Sequence, residues 1–177
     1  MTKAIIINGG YSVQSRLTGI EQVIGRLLTQ RDITHEVIQV HQLPAVDLLT
    51  ANYTSKPIAE QMVKVGDADI VFFLTPIFKG SYSGILKTFI DLMPQKGLEN
   101  KIVVPVAIGG SIAHLLALDY SLKPVLSILG ATHISNSIYI TDSQVVRNEE
   151  QFDVHEEAVE RIKKVWESIA PVEKVLV

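Results

Sequence analysis

The chain has 177 residues, 47% of them apolar, with a mean hydropathy of +0.26 and a formal net charge of −3. That length and apolar content suit one domain, residues 1–177, with a large core. The lack of cysteine excludes disulfides, thiolate nucleophiles and cysteine-based metal sites, and the lack of a basic block argues against a nucleic-acid partner.

The first element is "KAIIING", Lys3 to Gly9. It is β-branched and closed by glycine, which predicts a buried strand rather than the longer apolar region of a signal peptide. From Thr18 to Gln30, Ile20, Val23, Ile24, Leu27 and Leu28 recur at helical spacing. "HEVIQV", His35 to Val40, alternates and predicts an edge strand. A long loop follows, His41 to Lys56, whose Leu43, Val46, Leu48 and Leu49 show no clear period. It either packs on a small core of its own or covers a subunit contact. Pro57 to Val65 predicts a helix, "ADIVFFLT" (Ala68 to Thr75) a fully buried strand, and Ser83 to Leu92 a helix. "KIVVPVAIGG" (Lys101 to Gly110) predicts a strand, and Ser111 to Leu129 a long apolar helix. The last strand is expected over Thr132 to Thr141 and the last helix over Val154 to Ser168. No apolar stretch is long enough to span a bilayer, so a cytoplasmic protein without a membrane partner is expected.

Strand and helix alternate five times, which implies a parallel sheet covered on both faces. The apolar strands belong in the middle and the alternating one at an edge. The expected fold is therefore α/β and flavodoxin-like, a five-stranded parallel sheet of order 2-1-3-4-5. In such a sheet ligands bind beyond the carboxyl ends of the strands, where the strand order reverses.

Three loops meet that rim. The first, "NGGYSVQSRLT" (Asn8 to Thr18), offers glycines, hydroxyls and Arg16 at a helix start, which suits a phosphate. A Gly-Gly turn followed by an ordinary N-cap accounts for much of it without a ligand. The second lies in "TPIFKGSYSGILKTFIDLMP", Thr75 to Pro94. There Pro76 stiffens the exit from the strand, Gly80 and Gly84 permit close approach to a flat ligand, and Ser83 can cap the next helix. Phe78 and Tyr82 suit contact with a planar ring, whereas Lys79 has the makings of a solvated loop charge. The third, Gly109-Gly110-Ser111, brings backbone N–H groups to the rim, although simple turn chemistry explains it too. Together the loops point to a nucleotide. FMN fits better than a dinucleotide, because no GxGxxG motif is present.

"TPIFKGSYSGILKTFIDLMP" with "GGSIAHLLALDYSLKPVLSILGA" resembles the NADPH-dependent FMN reductases, and within that family the reductases of two-component alkanesulfonate monooxygenase systems. The resemblance runs from the first strand to about "TDSQVV". It implies FMN and NADPH as ligands, a homotetramer, and a partner monooxygenase that receives reduced FMN for sulfur acquisition. It also implies that Ser15, Arg16 and Thr18 hold the FMN phosphate, that Pro76, Ile77, Phe78, Lys79, Ser83 and Gly84 line the ring, and that Gly109, Gly110 and Ser111 meet its pyrimidine edge. Two departures stand out. Gly10 and Ser12 occupy the places of the family's usual serine and arginine, which weakens phosphate binding or shifts it onto Arg16. Phe78 stands where a tyrosine is common.

Tyr120, in "LLALDYSLKP", has two readings. Periodicity alone makes it a core or interface aromatic, whereas the resemblance makes it the inserted tyrosine of a π-helical bulge at a subunit contact. Asp119 and Lys123 are spaced to form an i,i+4 pair. FMN would carry the redox chemistry, so no catalytic side chain is assigned. The rival readings are a quinone or azo reductase that retains FMN, a flavodoxin-like electron carrier, and a binding module for another ligand.

Overall fold

The computed structural model describes residues 2–149 and 151–176, with side chains through Ile169. Its centre is a sheet of parallel strands β1 (Lys3–Asn8), β2 (Thr34–Gln39), β3 (Ile70–Phe78) and β5 (Ile102–Gly109). Beside β5 lie the short β6 (His133–Ile134) and β7 (Ile138–Thr141). The order is β2-β1-β3-β5-β6, with β7 also pairing β5. The fold is flavodoxin-like α/β, as expected, but among the described residues the sheet has seven strands rather than five.

Two local events account for the difference. The fifth sheet position, expected as one strand over residues 132–141, is shared. β6 pairs with Ile102 and Val103, β7 pairs with Val106 to Gly109, and Ser135 to Ser137 break the ladder between them. The other addition is β4 (Ser81–Tyr82), which folds back antiparallel on the end of β3.

Helices cover both faces. α1 (Arg16–Thr29) and α6 (Glu156–Leu176) lie on one face. The other carries α2 (Ala45–Leu49), α3 (Lys56–Asp67), α4 (Gly84–Ile90) and a segment that ends in α5 (Lys123–Ile128). The central strands are buried on both sides, as an apolar run in a parallel sheet requires. β2 sits at the edge and alternates in burial, following its sequence.

The long loop after β2 is not irregular. It contains a 3₁₀ turn (Val40–Gln42) and α2, closed by Asp47, whose carboxylate accepts bonds from Ser55 Oγ at 2.6 Å and Asn52 Nδ2 at 2.9 Å. Those two bonds hold the Asp47 pKa below its ordinary value. After β7 the chain makes a hairpin, β8 (Val145–Asn148) and β9 (Gln151–Val154), which packs on α1. None of the described helices is long and apolar enough to cross a membrane.

Candidate functional site

β1, β3 and β5 are neighbours, so the loops that leave their carboxyl ends lie side by side. Hydrogen bonds fasten them together. The Gly9 N–H donates to Leu74 O at 2.8 Å, and the Ser83 hydroxyl donates to Gly9 O at 2.7 Å. The same Ser83 oxygen accepts from Leu86 N at 3.3 Å and so caps α4. Ser83 is fully buried, and its side chain joins the first loop to the second.

The first loop is built on a buried polar base. Asn8 Oδ1 accepts from Gly10 N at 2.8 Å, while Asn8 Nδ2 and Gln39 Nε2 both donate to Glu21 Oε2. Ser15 caps α1, its hydroxyl oxygen accepting from Leu17 N at 3.2 Å. Arg16 is exposed, and its Nε donates to Val145 O at 3.0 Å. Among the described residues, the backbone N–H groups of Tyr11, Ser12, Val13 and Arg16 meet no acceptor. The Thr18 hydroxyl is buried and also has no partner there. Free donors at the positive end of a 14-residue helix, with an arginine beside them, have the chemistry that suits an anion.

The second loop differs from its sequence reading. β3 does not stop at Thr75 but continues to Phe78, with Pro76 opposite Ile108. A proline fits there because the pairing of β3 with β1 ends at Leu74, which leaves one edge of β3 free of the ladder. Pro76 and Ile77 are therefore buried strand residues. Lys79 and Gly80 make a two-residue hairpin turn, both with positive φ (52° and 77°), and return the chain into β4. Phe78, Lys79 and Gly84 are exposed. The Phe78 ring lies 5.6 Å from that of Tyr11, also exposed, so the first two loops present a shared aromatic surface. Below it the Thr75 hydroxyl accepts from Ser83 N and donates to Pro76 O, both at 2.8 Å.

The third loop is held by Tyr139, a residue the sequence reading passed over inside a strand. Its hydroxyl donates to Ser111 O at 2.7 Å. A Cβ on Gly109 would collide with that hydroxyl, so glycine is required for the approach. Burial, followed by the negative charge of Asp142, pushes the Tyr139 phenol above its ordinary pKa and keeps it a donor. Gly110 and Ser111 are exposed, and Ser111 caps the turn Ile112–His114.

The segment beyond is not the single helix expected over residues 111–129. It consists of that 3₁₀ turn, a π-helical stretch (Leu118–Leu122) and α5. Tyr120 sits in the π-helical stretch and is 79% exposed. The stretch packs against β4 and β5 and so touches the second loop from below. Asp119 pairs with Lys123 at 2.7 Å and accepts from Ser137 Oγ at 2.8 Å. The lysine bond is the larger cause of its lowered pKa.

Sequence reasoning therefore found all three loops but missed Tyr11, Tyr139 and the β8–β9 hairpin. Tyr11 was legible as an aromatic in a Gly-rich loop. Among the described residues, no group of three or more His, Asp or Glu side chains could hold a metal ion.

The family model for NADPH-dependent FMN reductases matches residues 2–145. The chain is 43% identical to an FMN reductase (NADPH) of Pseudomonas putida, over 80% of this chain and 72% of that protein. It is 36% identical to an FMN reductase (NADPH) of Escherichia coli, over 81% of this chain and 75% of that one. Among solved structures, the apo form of the NADH:FMN oxidoreductase EMOB superposes with a TM-score of 0.83 at 30% identity, covering 95% of this chain and 88% of that one.

Proposed function

The chain belongs to the NADPH-dependent FMN reductase family, and from that premise we propose that its three rim loops hold FMN and that reduced FMN leaves for a partner monooxygenase. It is an NAD(P)H-dependent oxidoreductase that takes FMN and NADPH. FMN supplies the redox chemistry, accepting a hydride from the nicotinamide nucleotide. What this chain contributes is binding and orientation.

The residues fit that role. Arg16 and the free N–H groups of the first loop hold the phosphate. Ser15 keeps its hydroxyl proton available, since its oxygen acts only as an acceptor in the cap. Phe78 and Tyr11 line the ring, Lys79 and Gly84 flank it, and Pro76 and Ile77 act only through their backbone. The backbone of Gly109, Gly110 and Ser111, fixed by Tyr139, faces the pyrimidine edge, where donors stabilise charge that builds on the ring. One observation carries the reading. The Thr18 hydroxyl is buried without a partner on the first turn of α1, and an unsatisfied buried hydroxyl costs about 1–3 kcal/mol. A phosphate oxygen at that helix start would satisfy it.

The finer role is sulfonate desulfonation for sulfur acquisition, supported by the likeness of the second and third loops to the reductases of those systems. Assembly belongs to the same proposal. Ile112, Leu115, Leu116, Tyr120 and Ile128 are exposed along one crossover, too much apolar surface for a segment that needs a single buried stripe. A tetramer built from dimers would cover it, with Tyr120 at a contact near the flavin.

Steady-state kinetics test the reading. The purified protein oxidises NADPH with free FMN as acceptor, at a rate that saturates with FMN. Retention of one FMN through many turnovers, with only quinones or azo dyes reduced, would contradict it.

A further inference from the structure

The first loop contains no basic residue between Asn8 and Ser15, and Arg16 is the cation its own sequence supplies. A second guanidinium reaches it from far along the chain. Arg147, on β8, donates from Nη1 to Gln14 O and from Nη2 to Gln14 Oε1, both at 3.3 Å. Its Nε donates to Glu149 O at 3.4 Å. These three bonds use three of the five N–H donors of an arginine and leave two. Arg16 is anchored to the same hairpin through Nε on Val145 O, which leaves its Nη donors without a partner among the described residues.

The hairpin that carries Arg147 is held firmly against α1. Gly19, on the first turns of that helix, has no room for a Cβ: Phe152 would lie 2.7 Å away and Val145 3.1 Å. Two strands thus lie directly on the helix whose N-terminus bears the free N–H groups. The Thr18 hydroxyl, buried and unpartnered, belongs to the same turn. Side chains on a helix tilt toward its N-terminus, which carries that hydroxyl toward the loop. The family match covers residues 2–145, so Arg147 lies just beyond it.

We propose that Arg147 is a second cation of the phosphate site and acts with Arg16 on the dianion of a phosphate monoester, here the 5′-phosphate of FMN. The inference rests on the placement of FMN argued above. Two guanidinium groups tied to the protein at one end, each with N–H donors to spare, match the several oxygens of a phosphate dianion. The position beside the helix start favours the flavin phosphate over the 2′-phosphate of NADPH, which has the same chemistry.

Fluorescence titrations of the full chain with FMN and with riboflavin, which lacks the phosphate, separate the possibilities. Arg147→Gln should weaken FMN binding about 10- to 100-fold, the scale of a lost charge-assisted hydrogen bond, and leave riboflavin binding unchanged. The salt dependence of FMN binding should also become shallower in this variant. Gln14→Ala tests whether Arg147 acts only by bracing the loop, and the proposal expects FMN binding close to wild type. A Gln14→Ala loss equal to that of Arg147→Gln would overturn it. So would an Arg147→Gln variant that keeps the wild-type preference for FMN. A loss confined to the KM for NADPH, with NADH unaffected, would overturn the assignment to the flavin. Wild-type protein that binds riboflavin as tightly as FMN would instead overturn the placement of the phosphate itself.

Discussion

Two crossovers leave the same rim of the sheet and end in opposite states. The first, from β1, turns through the Gly-rich loop into α1, a regular helix with a side-chain N-cap and an unbroken buried stripe of Leu17, Ile20, Val23, Ile24 and Leu28. The other, from β5, carries still more apolar residues yet breaks into a 3₁₀ turn, a π-helical stretch and a short α-helix. Only Leu118, Leu122, Leu126 and Leu129 of that segment are buried, while Ile112, Leu115, Leu116, Tyr120 and Ile128 face outward. The lesson is that apolar content does not set helix regularity. α1 has one buried stripe against the sheet, and its other close neighbour, the β8–β9 hairpin, belongs to the same subunit. The second segment must satisfy the sheet with one stripe and present another outward, and the π turn shifts the phase between them.

The largest expected effect comes from breaking the regular crossover. Ile24→Ala removes a side chain that is 1% exposed, and the loss of stability should be about 2–5 kcal/mol in denaturant unfolding. Leu116→Ala, 52% exposed, should cost the subunit less than about 0.5 kcal/mol. Any larger effect of Leu116→Ala should depend on protein concentration, because it would come from assembly.

Next in size is Thr18→Val, which sharpens the comparison at the ligand end. The hydroxyl has no partner without ligand. Its removal should stabilise the ligand-free protein by about 1 kcal/mol, the lower end of the cost of an unsatisfied buried group, and weaken FMN binding. Thermal unfolding with and without FMN reads both effects. A variant that is less stable in both states would make Thr18 ordinary packing.

Much of this was legible in the sequence. Strand order, the edge position of β2 and the three rim loops all follow from the spacing of apolar runs, because a parallel sheet buries its central strands on both sides. What was not legible depends on long-range partners. Pro76 looked like a strand stop, but the free edge of β3 beyond Leu74 lets the strand run on. Ser83 looked like a ligand contact and an N-cap, and its bond to Gly9 O, made from the far end of another loop, gives it the work of a tie. Tyr139 and Arg147 lie 28 and 133 residues from the loop groups they touch, so no local pattern could place them. The π-helical stretch left a trace only through family resemblance, since residues 111–129 are apolar at nearly every phase.

The smallest expected effect on subunit stability, and the most informative about the broken crossover, belongs to Tyr120→Ala. Its side chain is 79% exposed, so unfolding of the subunit should change by less than about 0.5 kcal/mol. Light scattering should nevertheless show a looser assembly, and FMN exchange should change with it, because the π-helical stretch also supports β4. Normal assembly and normal exchange in this variant would leave Tyr120 with no part in either.

The central claim is that the three rim loops hold FMN, and a structure of the FMN complex tests it most directly. The account predicts the phosphate against Ser12 to Thr18, the ring beside Tyr11 and Phe78, and the pyrimidine edge at Gly109 to Ser111. FMN seated elsewhere, for example in the open groove between α1 and β2 lined by Gln22, Arg26, Gln30 and His35, would contradict it.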